Sequence, residues 1–188
     1  IYYPVVEESI RLSWSRAGSP GKLTFSCVKD DVLSFEEGGA VKLSVDGTDL
    51  FYGFVFAKSR SGRTAHLIDV TAYDQLRYFK NKDSYVYENK KASEVIKMIA
   101  DDFGLNTGEL EDTEYVIASR AEDNATLFDI VQNALDETLQ AKKKLYVLYD
   151  DVGKLMLKNI ENMKLNLLLD ADTIGNYSYS SSIDNQTY

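Results

Sequence analysis

The sequence predicts an α+β protein in which short antiparallel strands come first and two amphipathic helices follow. Before residue 85, apolar and polar residues alternate in several short segments joined by Gly, Ser and Asp, which is the pattern of strands with one buried face. After residue 90, apolar residues recur every three or four positions in two longer segments, which is the pattern of helices. The 188 residues are enough for one large domain or two small ones.

Two strand patterns open the chain. In IRLSWS, residues 10–15, the apolar side chains share one face, and the turn sequence Gly-Ser-Pro-Gly follows a few residues later. In LTFSCV, residues 23–28, Cys27 is in phase with Leu23 and Phe25, so we expect a buried, unreactive thiol. Because the chain has one cysteine, it cannot form an internal disulfide.

A hairpin centred on Asp46-Gly47 joins the next two strands. This dipeptide is a strong signal for a two-residue turn, and residues 41–45 alternate regularly before it. The following strand, residues 50–57, is apolar on both faces. One face carries Phe51, Val55 and Ala57, and the other carries Leu50, Tyr52, Phe54 and Phe56. A strand in a sheet with one solvated face has one apolar face, so a second apolar face must be covered by another element or another subunit. This strand is therefore the candidate packing or interface element. Its residues are Leu50, Phe51, Tyr52, Phe54 and Phe56.

The last strand of the series is HLIDVTAY, residues 66–73. The segment AYDQLRYF then breaks the two-residue period, and we expect a helical turn that plugs the end of the first unit. Short strands at this spacing indicate a small antiparallel barrel or a sandwich. The single histidine, His66, is in phase with Ile68 at the start of a strand, which favours a rim or core position over a general base.

The second unit begins with two helices. ASEVIKMIADDFG, residues 92–104, has one apolar stripe, and Gly104 is suited to end the helix. DNATLFDIVQNALDETLQ, residues 123–140, has a second stripe and offers Asp123 or Asn124 as its N-cap. The stripe residues are Val95, Ile96, Ile99 and Phe103 in the first helix and Leu127, Ile130, Val131, Ala134 and Leu135 in the second.

The chain then returns to strand patterns. KLYVLYDDVGKLMLKN, residues 144–159, predicts a hairpin that turns at residues 150–153. The final segment regains the two-residue period at Tyr177 and Tyr179. We therefore expect another β element to begin here, as part of a longer protein.

The net charge of −9 is unevenly distributed. Residues 1–90 carry 12 Lys/Arg and 12 Asp/Glu, whereas residues 91–188 carry 9 and 18, which indicates two units. A nucleic-acid-binding protein is disfavoured because phosphate binding needs a basic face, and we expect the one basic cluster, residues 58–63, to be a solvated hairpin tip. The longest apolar run is too short to span a bilayer, and no basic-then-apolar leader precedes it.

No catalytic, cofactor or metal site is predicted. A single His and a single Cys exclude a multi-histidine or cysteine-rich zinc site, and a Ser-His-Asp or Cys-His system would depend on His66 alone. Glycoside hydrolysis needs two carboxylates that face each other, but neighbours on a strand point to opposite faces and those in turns are usually solvated. The acidic pairs expected to be structural for this reason are Asp30-Asp31, Glu36-Glu37, Asp101-Asp102 and Asp150-Asp151.

Several motifs, taken in order, resemble those of the baseplate hub proteins of contractile phage tails. They are LTFS, FEEGGAVKL, DLFYGFVF, VTAYDQLRYF and ATLFDIVQNAL. The likeness runs from Ile10 to Tyr188 and is strongest to the XkdQ/YqbQ-like branch, which is related to late-control-protein-D-like hubs and occurs in prophages and phage-tail-like bacteriocins (tailocins). Each motif alone is weak, and the specificity comes from their order and spacing.

The resemblance implies a fold and an assembly. Hubs of this kind carry two tube-type β-barrels separated by an α/β insertion, and they form trimers that adapt the hexameric tail tube to the trimeric spike. Residues 1–85 would then be the first barrel, residues 86–160 the insertion with two helices and a hairpin, and residues 161–188 the start of a truncated second barrel. The implied partners are the tail tube protein, the spike and other baseplate proteins, in the tail of a virion or phage-like particle assembled in the bacterial cytoplasm.

Two explanations for the doubly apolar strand at residues 50–57 remain open. In a ring of barrels it would lie between its own barrel and a neighbouring one, whereas in the simpler case helices of the same chain cover it. Two other functions also remain open. One is a peptidoglycan hydrolase associated with the tail tip, whose active site we would expect outside this chain, and the other is an adhesive β module unrelated to phage.

Overall fold

The computed structural model describes residues 1–7, 10–31, 33–62 and 66–166. Over these ranges the protein is mixed α/β and mostly strand, with a half-barrel sheet followed by two helices and two smaller sheets. The predicted order, strands first and helices second, is confirmed. The first unit differs from a small closed barrel, because its described strands form an open sheet whose outermost strands do not pair with each other.

The half-barrel sheet contains five antiparallel strands in the order β1-β2-β5-β4-β3. Their bounds are β1 Arg11–Ser13, β2 Lys22–Val28, β3 Ala40–Val45, β4 Thr48–Ser59 and β5 Leu67–Tyr73. The predicted turn between β3 and β4 is present, and both of its residues have positive φ, +50° at Asp46 and +79° at Gly47. Both angles are those of the hairpin turn that matches the right-handed twist of the flanking strands.

One side of this sheet, which we call the inner face, carries its core. The buried side chains there are Leu23, Cys27, Phe51, Val55, Ile68, Val70 and Ala72. The N-terminal segment lies beside β2 through a bridge between Val6 and Cys27. Cys27 is fully buried, as predicted, and burial raises the pKa of its thiol.

The second unit contains two long strands that the sequence patterns did not predict. β6, Lys82–Lys91, pairs antiparallel with β8, Val116–Thr126. In β6, Tyr85 and Tyr87 are buried while Val86 is 76% exposed, so the strand does alternate. The two buried tyrosines stand among charged residues, and this obscures the two-residue period in the sequence. The predicted boundary at 85/86 falls inside β6.

The two predicted helices are present as α1, Ala92–Asp102, and α2, Leu127–Lys142. Gly104 follows α1 with a φ of +62°, the left-handed conformation expected just beyond a helix end. The predicted N-cap of α2 is wrong. Asp123 and Asn124 belong to β8, and the hydroxyl of Thr126 caps the helix by accepting a hydrogen bond from the Asp129 amide at 3.1 Å.

A three-stranded sheet completes the second unit. β7, Thr107–Leu110, runs parallel to β10, Leu155–Asn159, which pairs antiparallel with β9, Tyr146–Asp150. The β9–β10 hairpin turns where it was predicted to turn. The helices pack on these strands around fully buried side chains, among them Val95, Ile96, Ile99, Leu127, Ile130, Leu155 and Leu157.

The helical turn predicted after β5 is a 3₁₀ helix, Gln75–Lys80, but it does not plug the half-barrel. Its buried residues Leu76 and Phe79 belong to the core of the second unit, where the Phe79 and Phe128 rings lie 5.6 Å apart. A second 3₁₀ helix, Ile160–Met163, follows β10. The start of the second barrel was predicted at residues 161–188, of which residues 167–188 lie outside the described residues. No helix of the described part is long and apolar enough to cross a bilayer.

Candidate interaction surface

Strand β4 divides the candidate interface residues between the two faces of the half-barrel sheet. Phe51 is 2% exposed and packs in the inner core, so it belongs to the fold rather than to a surface. The opposite side, which we call the outer face, carries Leu50, Tyr52, Phe54 and Phe56. Tyr52 and Phe54 are half-buried, whereas Leu50 is 40% and Phe56 36% exposed.

A β-bulge at Phe56 changes the register of β4 against β5. Val55 pairs with Ala72, but the next paired residue is Ala57, which lies opposite Thr71. The extra residue reverses the alternation, so Ala57 is exposed rather than buried beside Val55 as the sequence predicted. The bulge also leaves Phe56 on the outer face, two residues after Phe54 and beside Tyr73 at the end of β5.

Aromatic and cationic side chains from other elements surround Phe56. Its ring makes edge-to-face contacts with Tyr73 of β5 at 5.4 Å and with Tyr78 of the 3₁₀ helix at 6.5 Å. The Arg77 guanidinium lies over Phe56 at 5.4 Å, and the Lys22 ammonium lies 5.9 Å from the Tyr73 ring. These contacts surround the ring on several sides, and the Phe56 residue remains 36% exposed.

The β9–β10 hairpin covers another part of the outer face. Its turn residue Gly153 lies so close to Tyr52 that a Cβ atom there would stand 2.6 Å from the tyrosine ring. The chain therefore covers the Tyr52 side with its own hairpin turn, while Leu50 and Phe56 remain exposed. The second apolar face of β4 is covered in part by this chain and left in part without cover.

A buried polar joint connects the half-barrel to the second unit behind this face. The Asp74 carboxylate is 1% exposed and accepts hydrogen bonds from the Gly21 amide at 2.8 Å and the Leu76 amide at 3.0 Å. The Gln75 side chain accepts from the Asn106 amide at 3.0 Å and donates to the Asn106 carbonyl at 3.1 Å. Each unit thus satisfies buried polar groups of the other.

The joint contains a second carboxylate, Asp150 at the end of β9. It accepts from the Gln75 amide nitrogen at 2.9 Å and from the Gly153 amide at 2.7 Å. Burial, and then the nearby charge of Asp150, raises the pKa of Asp74 to about 7. Burial also raises the pKa of Asp150 to about 6. The Asp150-Asp151 pair was expected to be solvated, and Asp74 was not singled out, although an Asp before a helical turn is an N-cap signal.

The other acidic pairs have local structural partners. Asp101 forms an ion pair with Lys97 one helical turn earlier, and Asp102 accepts a hydrogen bond from the Tyr85 hydroxyl at 2.9 Å. The Lys58 ammonium lies 3.6 Å from the Glu37 carboxylate. His66 is exposed in the turn before β5. Within the described ranges, no group of three or more His, Cys, Asp or Glu side chains is placed to hold a metal ion.

The profile of the YqbQ-like family matches residues 10–188. The chain belongs to the YqbQ-like family. Two of its relatives are from Bacillus subtilis strain 168. One, YqbQ, is 34% identical over 187 residues, and the other, the phage-like element PBSX protein XkdQ, is 33% identical over 187 residues.

This YqbQ-like chain covers only part of those relatives and resembles two solved structures. The alignments include 96% of this chain but 56% of YqbQ and 57% of XkdQ. The 43 kDa tail protein of prophage MuSo2 from Shewanella oneidensis matches 79% of this chain and 47% of its own, with a TM-score of 0.64 and 15% identity. A tail protein from Neisseria meningitidis MC58 matches 73% and 41%, with a TM-score of 0.55 and 9% identity. At these identities the two structures indicate a shared fold.

Proposed function

We propose that this chain is a structural component of a contractile phage or phage-like tail, and specifically the baseplate hub that adapts the tail tube to the spike. Its membership of the YqbQ-like family supports a role in such a particle, because the relative XkdQ is named for a phage-like element. The fold shared with two tail proteins supports the same role. The observation that carries the hub assignment is the outer face of β4, where Leu50 and Phe56 are still exposed.

The outer face suits a contact with a neighbouring subunit. It is an aromatic and aliphatic row bordered by Lys22 and Arg77, and aromatic residues with arginine are the composition enriched at protein interfaces. Leu50 and Phe56 are the exposed members of this row, on either side in sequence of the half-buried Tyr52 and Phe54. In the hub, this row packs against a second copy in a trimer, and the trimer contacts the tube, the spike and other baseplate proteins.

Oligomeric state tests this proposal. The experiment is best done on the protein at the full length of its relatives, because this chain spans about half of them. We expect sedimentation equilibrium to give a trimer for the wild type and a monomer for a Leu50→Ser/Phe56→Ser double variant. The matched control is Val86→Ser, which removes an apolar side chain that is 76% exposed on the second unit. A trimer that survives the double variant, or a wild-type monomer at high concentration, would contradict the proposed contact.

The alternative function is a peptidoglycan hydrolase associated with the tail tip. The one observation that bears on it is the pair of buried carboxyls, since a raised pKa is what a general acid requires. Asp74 is enclosed, however, and the grooves beside α1 and at the end of β4 are lined by neither Asp74 nor Asp150. We therefore propose a structural role for this part of the protein. An assay of muropeptide release from purified peptidoglycan, with an Asp74→Asn/Asp150→Asn variant as comparison, would contradict it if the wild type alone released product.

A further inference from the structure

The basic cluster after the doubly apolar strand has a structure that the sequence did not indicate. Lys58 is exposed, but its side chain turns back onto the loop that follows β2. Its ammonium donates to the Phe35 carbonyl at 2.7 Å and lies over the Phe35 ring at 5.5 Å. The side chain thereby ties the end of β4 to the loop that follows β2, and its charge is held at a fixed position.

A groove of about 390 Å³ lies where these two segments meet. The Lys29 amide donates to the His66 carbonyl at 2.8 Å and so joins the loop after β2 to the turn before β5. Three cationic side chains, two hydroxyls and three apolar side chains line it, and none of the lining residues is acidic. They are Lys29, Lys58, Arg60, Ser34, Ser59, Leu33, Phe35 and Ile68.

The charges in this groove are incompletely matched. Lys58 has the Glu37 carboxylate at 3.6 Å, but within the described ranges neither Lys29 nor Arg60 forms an ion pair. Three cations around one groove repel one another, so a ligand that carries a carboxylate would relieve the repulsion and gain charge-assisted hydrogen bonds. The lining is cationic on a chain whose net charge is −9, although the loop after β2 also carries Asp30, Asp31, Glu36 and Glu37 outside the lining.

The chemistry of the lining identifies the class of ligand. The floor of the groove is apolar, with Leu33 and Phe35 half-buried and Ile68 9% exposed, and a bare inorganic anion would gain nothing from contact with it. A nucleic acid is disfavoured because three cations neutralise few phosphates and the rest of the chain repels them. A protein segment that places a carboxylate beside a large apolar side chain satisfies both parts of the lining.

We infer that this groove binds an acidic, partly apolar segment of a neighbouring tail protein. The inference rests on the proposed role in a tail, where the chain assembles with other proteins. It concerns a surface separate from the outer face, since the groove is formed by the loop after β2 and the end of β4. The outer face serves contact with a second copy, and the groove serves contact with a different, acidic partner.

The test uses a synthetic blocked peptide, Glu-Leu-Asp-Phe-Glu, titrated into ¹⁵N-labelled protein. We expect saturable shift changes at the amides of Lys29, Ser34 and Arg60, and an affinity that falls as salt is raised. A Lys29→Glu/Arg60→Glu variant should weaken binding by about tenfold or more, as expected for the loss of two charge pairs. The matched control, Arg16→Glu/Lys80→Glu, makes the same change in charge at two exposed positions elsewhere and should bind like the wild type.

Control ligands separate the possible outcomes. Peptides without charge, Gln-Leu-Asn-Phe-Gln, or without apolar side chains, Glu-Ser-Asp-Ser-Glu, should bind at least about tenfold more weakly than the probe if both charge and apolar contact contribute. Equal binding of the serine peptide, or displacement of the probe by millimolar inorganic phosphate, would overturn the assignment in favour of a general anion site. Unchanged affinity in the Lys29→Glu/Arg60→Glu variant, or no saturable binding, would overturn the site itself. A trimer that persists alongside either result would leave the proposed hub role in place.

Discussion

The two halves of this molecule differ in the size of their hydrophobic cores. Around the two helices, eighteen buried apolar residues of the described chain form one continuous core, to which the 3₁₀ helix after β5 contributes Leu76 and Phe79. The half-barrel has two smaller clusters of four and three buried residues, and apolar side chains remain exposed on its outer face. The second unit has the core of a self-sufficient domain, whereas the half-barrel is expected to gain stability from a neighbour.

The largest expected effect compares one leucine from each core. Leu157 is fully buried in the second unit and Leu23 is 1% exposed in the half-barrel. We expect Leu157→Ala to lower the free energy of unfolding by about 4 kcal/mol and Leu23→Ala by about 2 kcal/mol, because a thin core can collapse around the cavity more easily than a thick one. Urea denaturation of the two variants checks this, and equal losses would contradict the difference between the cores.

The pH dependence of stability tests the joint between the halves. In the folded protein, burial raises the pKa of Asp74 to about 7 and of Asp150 to about 6, above the value of about 4 for an unfolded aspartate, so their charged forms destabilise the fold at pH 8. Stability should therefore rise by about 2–4 kcal/mol as the pH falls from 8 to 5. Below that window the gain ends, since the unfolded chain also takes up the protons.

Variants of one acidic pair separate the joint from other titrating groups. Asp150→Asn should reduce, without abolishing, the rise in unfolding free energy between pH 8 and pH 5, because Asp74 still titrates in this variant. Asp151→Asn is the matched control, because Asp151 is exposed next to Asp150 and should leave most of the rise in place. If the wild type and Asp150→Asn had the same pH profile, the raised pKa of Asp150 would be contradicted.

Two turn glycines give a smaller and more local comparison. Gly47 in the half-barrel and Gly153 in the second unit both have positive φ, but only Gly153 touches the other half, through Tyr52. Alanine at Gly47 should cost about 1 kcal/mol from backbone strain alone, and at Gly153 about 2 kcal/mol because the Tyr52 ring must also shift. In a Tyr52→Ala background the extra cost at Gly153 should disappear, and additive effects in this double-mutant cycle would contradict the contact.

The smallest effect is expected within the denser core. The Tyr87 hydroxyl is buried and has no hydrogen-bond partner among the described residues. Tyr87→Phe should therefore leave the unfolding free energy unchanged within about 0.5 kcal/mol or raise it slightly, as measured by urea denaturation. Tyr85→Phe is the matched comparison, since it removes a hydrogen bond of 2.9 Å to Asp102 and should lower stability by about 1 kcal/mol.

Sequence patterns predicted the elements whose apolar residues recur with one clear period and whose ends are marked by turn residues such as glycine. The Asp46-Gly47 hairpin, the helix that stops before Gly104 and the β9–β10 hairpin are in this class. Strands β6 and β8 were missed because a few apolar residues spaced among charges give a weak two-residue signal. The bulge at Phe56 was missed because an inserted residue changes register without changing composition.

The functional surfaces were predicted only in part, for a related reason. A doubly apolar strand can be read directly from the sequence, so Leu50 and Phe56 were found. The side chains that surround them come from β5, the 3₁₀ helix and the distant β9–β10 turn, and no local pattern indicates that these meet. The Asp74–Asp150 joint is likewise formed by residues 76 positions apart, which only tertiary structure brings together.

Native-state hydrogen exchange tests the central claim, that the half-barrel depends on a neighbour and the second unit does not. In the isolated chain we expect amides of α1, α2 and β10 to exchange at least about a hundredfold more slowly than those of β4 and β5. In the assembled oligomer, protection in β4 and β5 should rise towards the level of the helices. Equal protection of the two halves in the isolated chain, with no gain in β4 on assembly, would contradict the account.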